Sequence, residues 1–158
     1  MAESPSALNM LVPDFSALVT GPKPFRLSDH AGKIIVLYFY PKDNTPGCTA
    51  QGIEFRELHE QFLQLGAEIV GASRDSIRSH DAFKAKLALP FELISDPDET
   101  LCLMFNVMKQ KNMYGKLVRG ADRSTFVIDG AGRLVKEWRG VKVAGHAEEV
   151  LEFIKTLR

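Results

Sequence analysis

Cysteine is scarce in this sequence: Cys48 and Cys102 are the only two among 158 residues. Two are too few for a disulfide scaffold, and a chain of this length buries enough apolar surface to fold without one. Excess charge is absent as well, with Lys+Arg 20 against Asp+Glu 20. No surplus positive field is available for polyanions, so nucleic acid and anionic membrane surfaces are not expected partners. Long hydrophobic runs are also missing. The longest uninterrupted one, Ile34 to Tyr40, falls far short of the roughly 20 residues that a membrane-spanning helix needs. Met1 to Phe15 have neither a basic start nor a sustained apolar stretch, which argues against a secretory signal and for the cytoplasm. What is there, 45% hydrophobic and 25% charged residues, is the composition of one ordinary globular domain spanning residues 1–158.

After a loose leader of about ten residues, Asp14 to Val19 and Phe25 to Leu27 read as short strands around the turn Gly21-Pro22-Lys23-Pro24, an N-terminal β-hairpin. Ile34 to Tyr40 is β-branched and aromatic with no polar alternation, as in a strand buried on both faces, and Pro41 stops it. From Thr49, apolar residues Phe55, Leu58, Phe62 and Leu65 recur at helical spacing until Gly66. A short strand over Ala67 to Ser73 precedes a helix from about Ser76 to Leu87. Phe91 to Ile94 is the next strand, and Ser95-Asp96-Pro97-Asp98 opens a helix through Phe105. Lys109 to Gly120 is basic, contains two glycines and shows no clear period, so it reads as a solvated loop. Ser124 to Asp129 and Leu134 to Arg139 flank Gly130-Ala131-Gly132 as a hairpin, and a helix starts at about His146. Strands alternating with helices before a closing hairpin imply an α/β thioredoxin-like fold, a central mixed sheet with helices on both faces.

Cys48 lies between the buried strand and the long helix, directly after the tight turn Pro46-Gly47. The first amides of a helix have no intrahelical partner, and its macrodipole adds partial positive charge at the same end. Both effects stabilise an anion there, and the thiolate is the reactive form of cysteine. A buried apolar filler is the plain alternative for any free cysteine, but α/β folds place their sites at such strand-to-helix junctions.

Pro41-x-x-x-Thr45-x-x-Cys48 resembles the peroxidatic motif of the peroxiredoxins. The longer string PKDNTPGCTAQ is similar to the peroxiredoxin Q group, also called bacterioferritin comigratory protein, and Arg123-Ser124-Thr125-Phe126-Val127-Ile128-Asp129 resembles that family's arginine-bearing strand. The likeness covers roughly residues 8 to 158. It implies a thiol-dependent peroxidase without a cofactor or metal, in which Cys48 attacks hydrogen peroxide or an organic hydroperoxide and becomes a sulfenic acid. Thr45 offers a hydroxyl, and the Gly47 and Cys48 amides offer fixed donors to developing charge. By the resemblance Pro41 covers the site, Arg123 holds thiolate and transition state, and Gln51 helps orient the arginine. Taken singly, Pro41 is also a strand stop, Thr45 a helix cap, Arg123 a surface charge and Gln51 a solvated first-turn residue.

Members of this group often carry a second, resolving cysteine five residues after the first or in the helix after the next strand. Here Ile53 occupies the first place, and the helix Ser76 to Leu87, with Lys84 in it, has no cysteine. Cys102, within Leu101-Cys102-Leu103-Met104-Phe105, is the one internal candidate, and its apolar neighbours favour core packing. A one-Cys mechanism is therefore expected, with glutathione, a glutaredoxin or thioredoxin as external reductant. The resemblance favours a monomer or weak dimer. Two other readings stay open: an atypical two-Cys enzyme using Cys102, and a redox-inactive thioredoxin-fold binding or chaperone module. A cysteine hydrolase would need a histidine base, and His30, His59, His80 and His146 stand in no recognisable motif, as solvated or capping residues do. Phe39, Tyr40 and Trp138 fit an apolar approach for alkyl chains or simple core packing.

Overall fold

The computed structural model describes residues 8–157, so most of the expected leader lies outside the described residues. The strands are β1 (Ser16–Val19), β2 (Phe25–Arg26), β3 (Ile34–Phe39), β4 (Ala67–Ser73), β5 (Glu92–Ser95), β6 (Met108–Met113), β7 (Lys116–Ala121), β8 (Ser124–Ile128) and β9 (Leu134–Arg139). The helices are α1 (Pro46–Gln64), α2 (Ile77–Leu87), α3 (Thr100–Met104) and α4 (His146–Lys155). No helix among the described residues is long and apolar enough to cross a membrane.

Seven strands form one mixed sheet in the order β2-β1-β5-β4-β3-β8-β9, with β3, β4 and β5 parallel and β1, β8 and β9 antiparallel to their neighbours. The thioredoxin-like expectation therefore stands, N-terminal hairpin included. Central β3 is buried at every position, and its alternation divides two cores. Ile34, Val36 and Tyr38 face one way and pack with Phe55 and Phe62 of α1, Phe83 of α2 and Val150 of α4. Ile35, Leu37 and Phe39 face the other way and pack with Phe15, Phe105 and Cys102.

Helix α1 ends where expected, with Gly66 at φ 77, in the left-handed region that glycine enters without strain. Two expectations fail. Residues 108–121 are not a loop: β6 and β7 form their own two-stranded antiparallel ribbon, joined by Tyr114 and Gly115 with φ of 55 and 81. Positive φ at both central residues gives a turn whose twist matches the flanking strands. The helix after β5 is also shorter than the sequence predicts, because α3 starts only at Thr100. The Asp96 carboxylate accepts from the amides of Leu101 and Cys102, at 3.0 and 2.8 Å, and so caps the helix from outside its first turn.

Candidate active site

The end of β3, the turn that follows it and the start of α1 bring the sequence-predicted residues together. Thr45 is the N-cap of α1 with extended dihedrals, and Pro46 is its first helical residue, where the missing N–H costs nothing. Thr45 Oγ1 does not cap the helix; it donates to the carbonyl of Lys42 at 2.9 Å, closing the turn on itself. Cys48 is therefore the third helical residue, beside amides that have no intrahelical acceptor. Its side chain is buried, and Pro41 is half-buried at the mouth of the turn.

Arg123 arrives from another part of the chain. The antiparallel register sets Phe39 of β3 opposite Ser124 of β8, which puts Arg123 just beyond the end of β3, where Cys48 lies. Its Nη1 donates to Gln51 Oε1 at 2.7 Å and to Cys48 Sγ at 3.6 Å. Gly47 makes room for this approach, since a Cβ built there would stand 2.9 Å from Arg123 Nη2. Gln51 is 1% exposed, so it is not the solvated first-turn residue of the plain reading, and its Nε2 has no hydrogen-bond partner among the described residues.

Tyr38 lies in the same core as Cys48, and burial above all, with the charges of Cys48 and Asp43 next, pushes its hydroxyl far up, so it stays protonated. Phe39 packs on the far face and Tyr40 is buried, so neither lines an open approach. Trp138 is half-buried and donates to Glu149 Oε2 at 3.2 Å. Two histidines expected at the surface are inside: His80 is fully buried, and His146 accepts or donates at Thr125 Oγ1, 2.8 Å from its Nε2. Cys102 packs on the face of the sheet opposite Cys48. Burial first, then its hydrogen bond to Asp96 and that carboxylate's charge, push its thiol well above the ordinary range.

A thiol at a helix start beside a bound guanidinium is a familiar constellation, and the sequence model of the AhpC/TSA family matches residues 9–137. The chain belongs to the AhpC/TSA family. Within that family it is a thiol-dependent peroxidase of the peroxiredoxin Q and Bcp group. It is 51% identical to peroxiredoxin Bcp of Xanthomonas campestris over 142 residues, 90% of this chain and 89% of that one. Against peroxiredoxin Bcp of Bacillus subtilis the identity is 52%, covering 84% of each chain. A solved structure of Xanthomonas campestris peroxiredoxin Q superimposes with a TM-score of 0.86, at 51% identity and 90% coverage of both chains.

Proposed function

We propose that Cys48 is the peroxidatic nucleophile and that the enzyme works with one cysteine, borrowing its second thiol from outside. The observation that carries this reading is the Arg123 guanidinium, which bonds both Gln51 and Cys48 Sγ at the N-terminus of α1. The Cys48 thiolate attacks the terminal oxygen of a hydroperoxide, the O–O bond breaks, and the leaving oxygen takes a proton to depart as water or an alcohol. Sulfur keeps the attacked oxygen as a sulfenic acid. Arg123 and the free amides at Gly47 and Cys48 stabilise the charge that moves onto the leaving oxygen. Gln51 orients the guanidinium, Thr45 fixes the turn and supplies a hydroxyl, and Pro41 limits access of water.

An external thiol then attacks the sulfenic sulfur and releases water. A second thiol cleaves the mixed disulfide and restores Cys48. Supporting this route, Cys102 lies across the sheet from Cys48 in a packed core, while Ile53 stands five residues after Cys48 and α2 carries no cysteine, the two places where the group often has a resolving one. Glutathione, a glutaredoxin or thioredoxin in the cytoplasm is the reductant in this reading, and the chain acts as a monomer or weak dimer. A solved structure of the Xanthomonas campestris bacterioferritin comigratory protein is described in connection with its alkyl peroxide reduction activity, which favours organic hydroperoxides beside hydrogen peroxide as substrates.

The test is mass spectrometry after one equivalent of hydrogen peroxide, with a sulfenic-acid trap and with glutathione. Trap label on Cys48, replaced by a glutathione adduct, is the expected result, with turnover abolished in Cys48→Ser. A Cys48–Cys102 disulfide in high yield, together with turnover lost in Cys102→Ser, would overturn the one-Cys route.

A further inference from the structure

Behind the peroxidatic turn lies a buried polar cluster that the chemistry above does not use. Asp43 sits in the turn between Pro41 and Thr45, and its side chain is 1% exposed. Its Oδ1 accepts from Tyr40 Oη at 2.7 Å, and its Oδ2 accepts from Ser79 Oγ at 2.7 Å and faces His80 Nδ1 at 2.8 Å. Its backbone N–H donates to Asp75 Oδ2 at 2.9 Å, and Ser73 Oγ donates to the same oxygen at 2.5 Å. The other ring nitrogen of His80, Nε2, faces the carbonyl of Ile94 at 2.9 Å. Asp43, Asp75 and His80 stand close enough together to suggest a cation, but their facing atoms already have hydrogen-bond partners. The cluster is a finished network, not a metal site.

The partners of His80 decide its protonation. A carbonyl oxygen only accepts, so Nε2 must carry a proton. Burial raises the cost of charge on Asp43, yet the hydrogen bonds from His80, Tyr40 and Ser79 outweigh it and hold the carboxyl below its ordinary range. A carboxylate also only accepts, so Nδ1 must carry a proton too. A neutral ring would aim a lone pair at one of these two oxygens. The charged groups facing the ring are Asp43 from the turn and, one hydrogen bond further, Asp75 after β4, with Tyr40 of the β3 end alongside.

We propose that Asp43 and His80 form a buried carboxylate–imidazolium pair that acts as a positioning device for the peroxidatic turn. The pair ties residues 41–45 to α2 through Ser79 and His80 and to β5 through the Ile94 carbonyl, so the turn that carries Pro41 and Thr45 is held from behind. This inference rests on the reading of Cys48 as the peroxidatic nucleophile. Removing the pair lets Pro41, Thr45 and the first amides of α1 drift relative to Cys48, and misplacement of about 1 Å is enough to cost two orders of magnitude in rate.

Two measurements test it. In 15N-labelled reduced protein at the pH of the peroxide assay, and equally in Cys48→Ser, the His80 ring shows two protonated nitrogens. In His80→Gln the peroxide rate of Cys48 falls by about tenfold to a hundredfold, while its alkylation by iodoacetamide, which needs no aligned donors, stays within about twofold. Phe83→Leu, which loosens the same helix without touching the pair, changes both rates alike. Ser79→Ala removes one donor to Asp43 and serves as the gentler variant if His80→Gln does not fold, with a peroxide rate lowered about threefold. A neutral ring at that pH, or a wild-type peroxide rate in the substituted proteins, overturns the proposal. A wild-type Cys48 no faster with peroxide than free cysteine overturns the peroxidase reading instead, and the nitrogen signals still decide the charged pair.

Discussion

At the scale of single residues the site depends on how close Arg123 comes to the start of α1. Gly47 permits that approach, since its missing Cβ leaves the place that Arg123 Nη2 would otherwise contest at 2.9 Å. Gly47→Ala keeps an ordinary helical residue in the first turn but displaces the guanidinium from Cys48 Sγ and Gln51. The peroxide rate measured by stopped flow should fall about tenfold to a hundredfold, as for loss of one charge-stabilising donor, with little change in Tm. A rate equal to wild type would show that the contact is not needed. The residues of this constellation were legible beforehand because the motif holds Pro41, Thr45 and Cys48 at fixed spacing. Gln51 was harder to judge. A glutamine in a helix's first turn looks solvated, and only the antiparallel register of β3 and β8 brings the arginine that buries it.

At the scale of elements, the buried ones were readable and the exposed or side-chain-capped ones were not. The apolar run of β3 and the periodic face of α1 carry strong patterns because each faces a core. The β6–β7 ribbon meets a core at its base, through Ala121 and Met108, but most of its residues are exposed, so no alternation marks it, and Tyr114-Gly115 lacks the usual turn signature of Asn or Asp before Gly. Helix α3 reads too long in the sequence because Ser95-Asp96-Pro97-Asp98 carries a helix-opening pattern next to β5, whereas the Asp96 carboxylate caps amides five and six residues ahead. That reach supports a prediction. Asp96→Ala leaves the buried amides of Leu101 and Cys102 without their charged acceptor, a loss of about 1.5–3 kcal/mol in urea denaturation. It also unlocks Cys102. In the wild type this thiol, buried and held up by Asp96, should resist iodoacetamide while Cys48 reacts, and in Asp96→Ala it should label measurably faster. Equal labelling of Cys102 in both proteins would refute the assignment.

At the scale of the whole molecule, stability and chemistry meet in the buried histidines, which composition alone disguised as surface residues. His146 begins α4, touches Thr125 of β8 and stacks edge-on against Trp138 and Phe55. Burial is the main force that lowers its pKa, the Arg123 charge adds to it, and Glu149 only partly opposes it. A base whose folded pKa lies below its unfolded value of 6.5 binds more protons unfolded than folded as the pH falls. Its contribution is therefore intact above pH 6.5 and is lost progressively below it. Asp43, with its carboxyl held below 3.8 in the fold, contributes a second loss only at more acid pH. In urea denaturation between pH 7 and 5 the wild type should lose stability with acid relative to His146→Gln, which keeps a donor for Thr125 and cannot take the extra proton, by at most about 1.4 kcal/mol per pH unit for one proton. The later acid limb should be the same in both proteins. Equal slopes in the two proteins between pH 7 and 5 would assign the acid sensitivity to another group.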